Sequence, residues 1–157
     1  MLQKTKFLFI LVCSAALCCA GCQTVHDQKP VEKDGKYYGV LDGGAFPYKW
    51  YDFYEQALSY ADGNFWKEAE LDLKEAIRQR DGDQKQARTY ARNFIEYFPH
   101  RELGIIYYKQ GRFEESLKEL RISLDAEKSP EAEHYFELAR KSFAPSAAVI
   151  SSEFPLK

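Results

Sequence analysis

Three histidines, His26, His100 and His134, are the side chains here best suited to proton transfer or metal ligation, and none stands at a catalytic spacing. After residue 21 there is no HExxH, no His-Cys pair and no Ser-His-Asp arrangement. Carboxylates occur close together at Glu114 and Glu115 and at Asp72 and Glu75. Both sets fall outside the apolar stripes of the helices that carry them, so a solvated face is expected rather than acid-base chemistry. Gly43 and Gly44 lack the Lys and Ser/Thr of a phosphate loop and read as a turn. The chain is therefore expected to be no enzyme, with no catalytic residues, no metal ligands and no cofactor.

The thiols carry a different chemistry. Cys13, Cys18, Cys19 and Cys22 all lie in or at the end of the first twenty-two residues, so no disulfide framework is expected in the folded part. Lys4 and Lys6, the apolar run FLFILVCSAALCCA and the small pair Ala20 and Gly21 read together as an export signal over 1–21. An uncleaved transmembrane anchor is the alternative. The ending CCAGC resembles a bacterial lipobox, with Cys22 as the residue that receives lipid, although Cys19 stands where Leu is usual. By that resemblance, processing leaves Cys22 as the new N-terminus, with a thioether-linked diacylglycerol and a third acyl chain. Two or three chains anchor firmly where one would anchor marginally. Gln23 rather than Asp follows Cys22, which by the sorting rule of enteric lipoproteins implies the outer membrane, facing the periplasm.

Of 22 basic and 24 acidic side chains, the signal holds two lysines and no acid. What remains is mildly acidic, without a basic stripe, so nucleic acid is not an expected partner. Residues 22–36 are polar, with Pro30 and the mixed-charge run VEKDGK, and read as a flexible tether. Residues 37–49 form a turn-rich aromatic segment with room for one short extended piece.

Helical periodicity then takes over. Phe53, Ala57, Tyr60 and Ala61 mark a first helix, and Trp66, Ala69, Leu73, Ala76 and Ile77 a second, with Asn64 as the expected cap between them. Leu103, Ile106 and Tyr107 before Gly111, and Phe113, Leu117, Leu120 and Leu124 after it, predict a second helical hairpin. Gly104 and Ser116 are small where those two helices must come closest. Residues 83–98 carry a helix-like stripe at Ala87, Ala91, Phe94, Ile95 and Phe98, so an inserted helix is expected, capped by Asp83 and ended by Pro99. Ser129 and Pro130 open a last helix to residue 143, with Ala132, Tyr135, Phe136, Ala139 and Phe143 on one side and charge on the other. Residues 144–157 read as a loose tail.

The two hairpins are copies. Phe53 aligns with His100, Ala57 with Gly104, Tyr60 with Tyr107, Ala69 with Ser116, Leu73 with Leu120 and Ala76 with Ser123, all at one offset of forty-seven residues. This pattern resembles the tetratricopeptide repeat, whose own period of about 34 residues leaves about thirteen for the insert. The expected fold is all-α: a short solenoid of antiparallel helical hairpins over 50–143, with the inserted helix and a C-terminal capping helix. The insert either packs across the first hairpin or shifts the pairing register by one helix, and the six-point alignment favours the first.

The resemblance implies a groove lined by the first helix of each hairpin: Tyr54, Glu55 and Leu58 beside Arg101, Glu102, Ile105, Tyr108 and Lys109. It implies capture of another envelope protein or peptide, with the membrane engaged only through lipid. A structural role in an envelope or secretion assembly is a further alternative. The aromatic patch Tyr48, Trp50 and Tyr51 offers another still, stacking on glycan or peptidoglycan.

Overall fold

The structure is a computed structural model that describes residues 29–41, 48–90 and 92–153, with side chains described through 143. The expected signal, Cys22 and Gln23 lie outside the described residues. The described chain runs β1 (Val31–Lys33), β2 (Lys36–Tyr38), α1 (Trp50–Asp62), α2 (Trp66–Gln79), β3 (Gln84–Arg88), β4 (Phe94–Tyr97), α3 (Pro99–Lys109), α4 (Phe113–Ala126) and α5 (Pro130–Glu153). It is mostly helical, with helix packed on helix, and it also holds two small antiparallel sheets.

The duplication seen in the sequence recurs in the backbone. Helices α2 and α4 begin and end forty-seven residues apart, and α1 and α3 end at the same offset. Each pair is joined by a three-residue turn, short enough to make the helices antiparallel neighbours. In one turn the Phe65 N–H donates to Tyr60 O at 2.9 Å, and in the other the Arg112 N–H donates to Tyr107 O at 2.9 Å. The central residue is left-handed in both, Asn64 at φ 64° and Gly111 at φ 77°. Asn64 thus does not cap the second helix as expected. It takes the one backbone conformation that Asn, after Gly, adopts most readily.

All twelve aligned residues are buried. Leu73 and Leu120, both fully enclosed, each contribute about 1.5–3 kcal/mol of apolar burial. The small residues sit at the crossing. A Cβ on Gly104 would lie 2.6 Å from Leu120 Cγ, and the Ser116 hydroxyl donates to the Gly104 carbonyl at 2.7 Å. Helix α2 packs on α3 and so joins the two hairpins, and α5 lies against both α3 and α4.

Three expectations are corrected. The inserted helix over 83–98 is a β-hairpin: Ala87 pairs with Ile95, Arg88 with Phe94, and Gln84 with Tyr97 across an irregularity. A helical stripe would have buried Phe94, yet Phe94 is 58% exposed while Tyr97 is fully buried, which is the two-residue alternation of a strand. The residue before a proline is also biased away from the helical region, so Phe98 is a poor place to continue a helix into Pro99. The tether over 22–36 is, from residue 31, a hairpin turned by Asp34 and Gly35 at φ 53° and 76°, the left-handed pair of a tight two-residue loop. It is fastened to α1, since Lys33 Nζ donates to Gly63 O at 2.9 Å and the Tyr60 hydroxyl to Lys29 O at 2.9 Å. The loose tail is helical as far as Glu153, with Pro145 inside the helix at the cost of one main-chain donor.

Candidate functional site

The residues expected to line one groove are divided among three environments. Tyr54 is core: its ring meets Tyr97 edge-on with centroids 4.9 Å apart, and its hydroxyl accepts the Phe98 N–H at 3.2 Å. Arg101, Glu102, Tyr108 and Lys109 serve the seam with α5. Arg101 pairs with Glu102 at 2.7 Å and with Glu131 at 3.4 Å, Tyr108 meets Tyr135 at 5.6 Å, and Lys109 Nζ lies 5.6 Å from the Tyr135 ring centre. Ile105 is half-buried on the same helix. Glu55 and Leu58 alone line an open cavity.

The aromatic patch is likewise split. Trp50 stacks edge-on against Tyr97 at 4.5 Å and against Tyr51 at 5.3 Å, and the Arg80 guanidinium lies 4.5 Å from its ring centre. These contacts fix the β3–β4 hairpin to the start of α1. Tyr48 is half exposed, with its ring 6.4 Å from Phe53.

The cavity, about 490 Å³, is a trench between β2 and α1. Lys36, Tyr37, Val40 and Leu41 form one side, and Glu55, Leu58, Ser59 and Asp62 the other. Helical spacing aims the second set the same way, since positions i, i+3, i+4 and i+7 share a face. The hairpin is held over α1 by Gln56 Nε2, which donates to Gly39 O at 2.9 Å, and by the Gly39 N–H, which donates to the Ser59 hydroxyl at 3.0 Å. Gly39 is left-handed at φ 77°, and any side chain there would strike the Tyr60 ring. Of the eight lining residues the sequence pointed to two, because the other six become neighbours only when the hairpin docks.

Buried polar groups elsewhere hold the hairpins together. His100 stands where the first copy has Phe53, and its ring nitrogens lie 2.7 Å from Glu119 Oε2 and 2.7 Å from Asp81 Oδ1. Burial alone would lower its pKa, but the hydrogen bonds to Glu119 and Asp81 and the nearby charge of Asp83 outweigh it and raise the pKa to about 9. Asp83 does not cap an inserted helix; its carboxylate instead accepts the N–H groups of His100 at 3.0 Å and Arg101 at 3.1 Å, at the start of α3. Glu70 joins the copies, pairing with Lys74 at 2.6 Å and with Arg112 at 2.7 Å. Arg112 also pairs with Glu115 and stacks over Tyr107.

Asp72 corrects another expectation. It is fully buried instead of solvated, and desolvation, with the fields of Glu68 and Glu75, raises its pKa to about 8. One carboxylate inside an apolar stripe leaves no periodic signature, and this one was not legible.

Among the described residues no group of three or more His, Cys, Asp or Glu side chains is placed to hold a metal ion, and no helix is long and apolar enough to cross a membrane. No family model, curated protein or solved structure matches the chain.

Proposed function

We propose that this chain is a lipid-anchored protein-interaction module of the bacterial cell envelope, a short tetratricopeptide-like stack whose partner enters the trench between β2 and α1. The observation that carries the reading is the trench itself. It is open, mixed in character, and built on the first helix of a duplicated hairpin, the helix that lines the binding side in tetratricopeptide stacks. Lipid on Cys22 would fix the location, at the outer membrane by the Gln23 rule, and raise the local concentration of the module. The glycan alternative would use Trp50, which is half-buried with the Arg80 guanidinium 4.5 Å from its ring centre.

A photo-crosslinking residue at Leu58 in the living bacterium is expected to give a discrete crosslinked species that the same residue at exposed Ile122 does not. Crosslinks that are equal at the two sites, or absent from both, would remove the module reading. Cys22→Ala is expected to release the protein from membranes. If it still sediments with them, the apolar segment is an uncleaved anchor.

A further inference from the structure

We propose that two copies of this chain pair through the free edge of β4, antiparallel about a two-fold axis at Ile95, so that their β3–β4 hairpins become one four-stranded sheet. The proposal is independent of the trench and of what enters it.

Strand register locates the edge. The Thr89 N–H donates to Asn93 O at 2.9 Å, which makes those two a hydrogen-bonded pair next to Arg88 and Phe94. Gln84 to Ala87 is three steps along β3 where Tyr97 to Ile95 is two along β4, so the extra residue lies in β3 and β4 is regular. Alternation then turns the main-chain groups of Asn93, Ile95 and Tyr97 toward β3 and those of Phe94 and Glu96 away from it. Among the described residues β3 is the only strand beside β4, and the outward groups form an unpaired edge on which a further strand can build.

The side chains say which strand fits. Phe94 is 58% exposed and Arg92 and Glu96 are exposed on either side of it, while Ile95 is half-buried and Tyr97 fully buried on the inner face. Among the described residues neither Arg92 nor Glu96 has an ion-pair or hydrogen-bond partner. The edge thus carries a cation at one end, an anion at the other and an apolar ring between them. An antiparallel second copy reverses that order and so matches it. Pairing over the whole strand sets Phe94 opposite Glu96 of the second copy and brings the two Phe94 rings together along the diagonal. Arg92, in the turn just ahead of the strand, meets the second copy's Glu96 along the same diagonal, roughly 7–8 Å between backbones, which its long side chain spans. Charges that guard an edge repel a second copy, whereas these two attract one.

The test uses the full chain in the living bacterium, with two differently tagged copies expressed together. A photo-crosslinking residue at Phe94 is expected to join the two tags, and the same residue at exposed Ile122 is not. Arg92→Glu in both copies is expected to lower that yield about fivefold, and Arg92→Glu with Glu96→Arg to restore it, since only the swap returns opposite charges to each contact. Register is read with cysteines, all four of which precede residue 23 in the natural chain. Phe94→Cys in one copy and Glu96→Cys in the other stand about 5.5 Å apart at Cα in the proposed pairing, within disulfide range, and are expected to bond under oxidant where Phe94→Cys with Ile122→Cys does not. No joined tags at Phe94, equal joining at Ile122, no recovery in the charge swap, or no disulfide between positions 94 and 96 would each overturn the proposal. So would a rise in yield when Arg92 and Glu96 are both changed to Ala, which would show that the two charges keep the edge from pairing.

Discussion

At Gly104 two helices approach so closely that one methyl group decides the fit. A Cβ there would meet Leu120 Cγ at 2.6 Å and the Leu120 backbone nitrogen at 3.2 Å, and the Ser116 hydroxyl grips the Gly104 carbonyl from the same side. Gly104→Leu is therefore expected to cost about 1–3 kcal/mol by overpacking, read as a fall in the urea midpoint. An unchanged midpoint would mean that the helices separate freely there. Asp72 predicts the opposite sign. Its folded pKa of about 8 lies far above the ordinary aspartate value of 3.8, so the native state must hold a proton at neutral pH that the unfolded chain has lost. Asp72→Asn is expected to raise stability at pH 7 by about 1–3 kcal/mol and to give almost no gain at about pH 3 and below, where both states are protonated. Equal effects at the two pH values would show the carboxyl to be charged in place. The small residue at 104 was legible from its alignment with Ala57. Asp72 was not, because burial of one acid depends on the packing around it.

At the scale of elements, the β3–β4 hairpin shows where periodicity misleads. Ala87, Phe94, Ile95 and Phe98 fit a helical stripe, but Ile95 and Tyr97 also alternate with exposed Phe94 and Glu96, and Pro99 disfavours helix at the residue before it. Both cues were in the sequence, and the apolar spacing outweighed them. In the structure Tyr97 locks the hairpin down, its hydroxyl donating to Arg80 O at 2.7 Å while Trp50 and Tyr54 stack on its ring. The stretch just before β3 carries Asp83, which receives the N–H groups at the start of α3. Asp83→Ala is expected to cost about 1–2 kcal/mol and Asp83→Asn less, because the amide keeps one acceptor. Urea unfolding of the two variants checks this, and a matched loss in both would place the effect in charge instead of capping.

Across the whole molecule the buried ionisable groups lean one way with pH. His100 has a folded pKa raised from 6.5 to about 9, so its contribution is complete below about pH 6.5 and is lost as pH rises through 9. Asp72, holding its proton to about pH 8 in the fold, also makes stability fall as pH rises, over the window from about 4 to 8. Glu70, held low by Lys74 and Arg112 despite its burial, works the other way only in acid, where its protonation would break the joint between the two hairpins. Stability is thus expected to peak near pH 4.5, where Glu70 is ionised and Asp72 has only begun to cost, and to decline steadily to pH 9.5. The two causes overlap, but by about pH 8.5 most of the Asp72 share is complete while His100 is still titrating. His100→Phe, which restores the residue of the first copy, is expected to flatten the urea-midpoint profile between pH 8 and 9.5. A variant profile as steep as the original in that interval would assign the decline to some other group and leave the His100 cluster as packing alone.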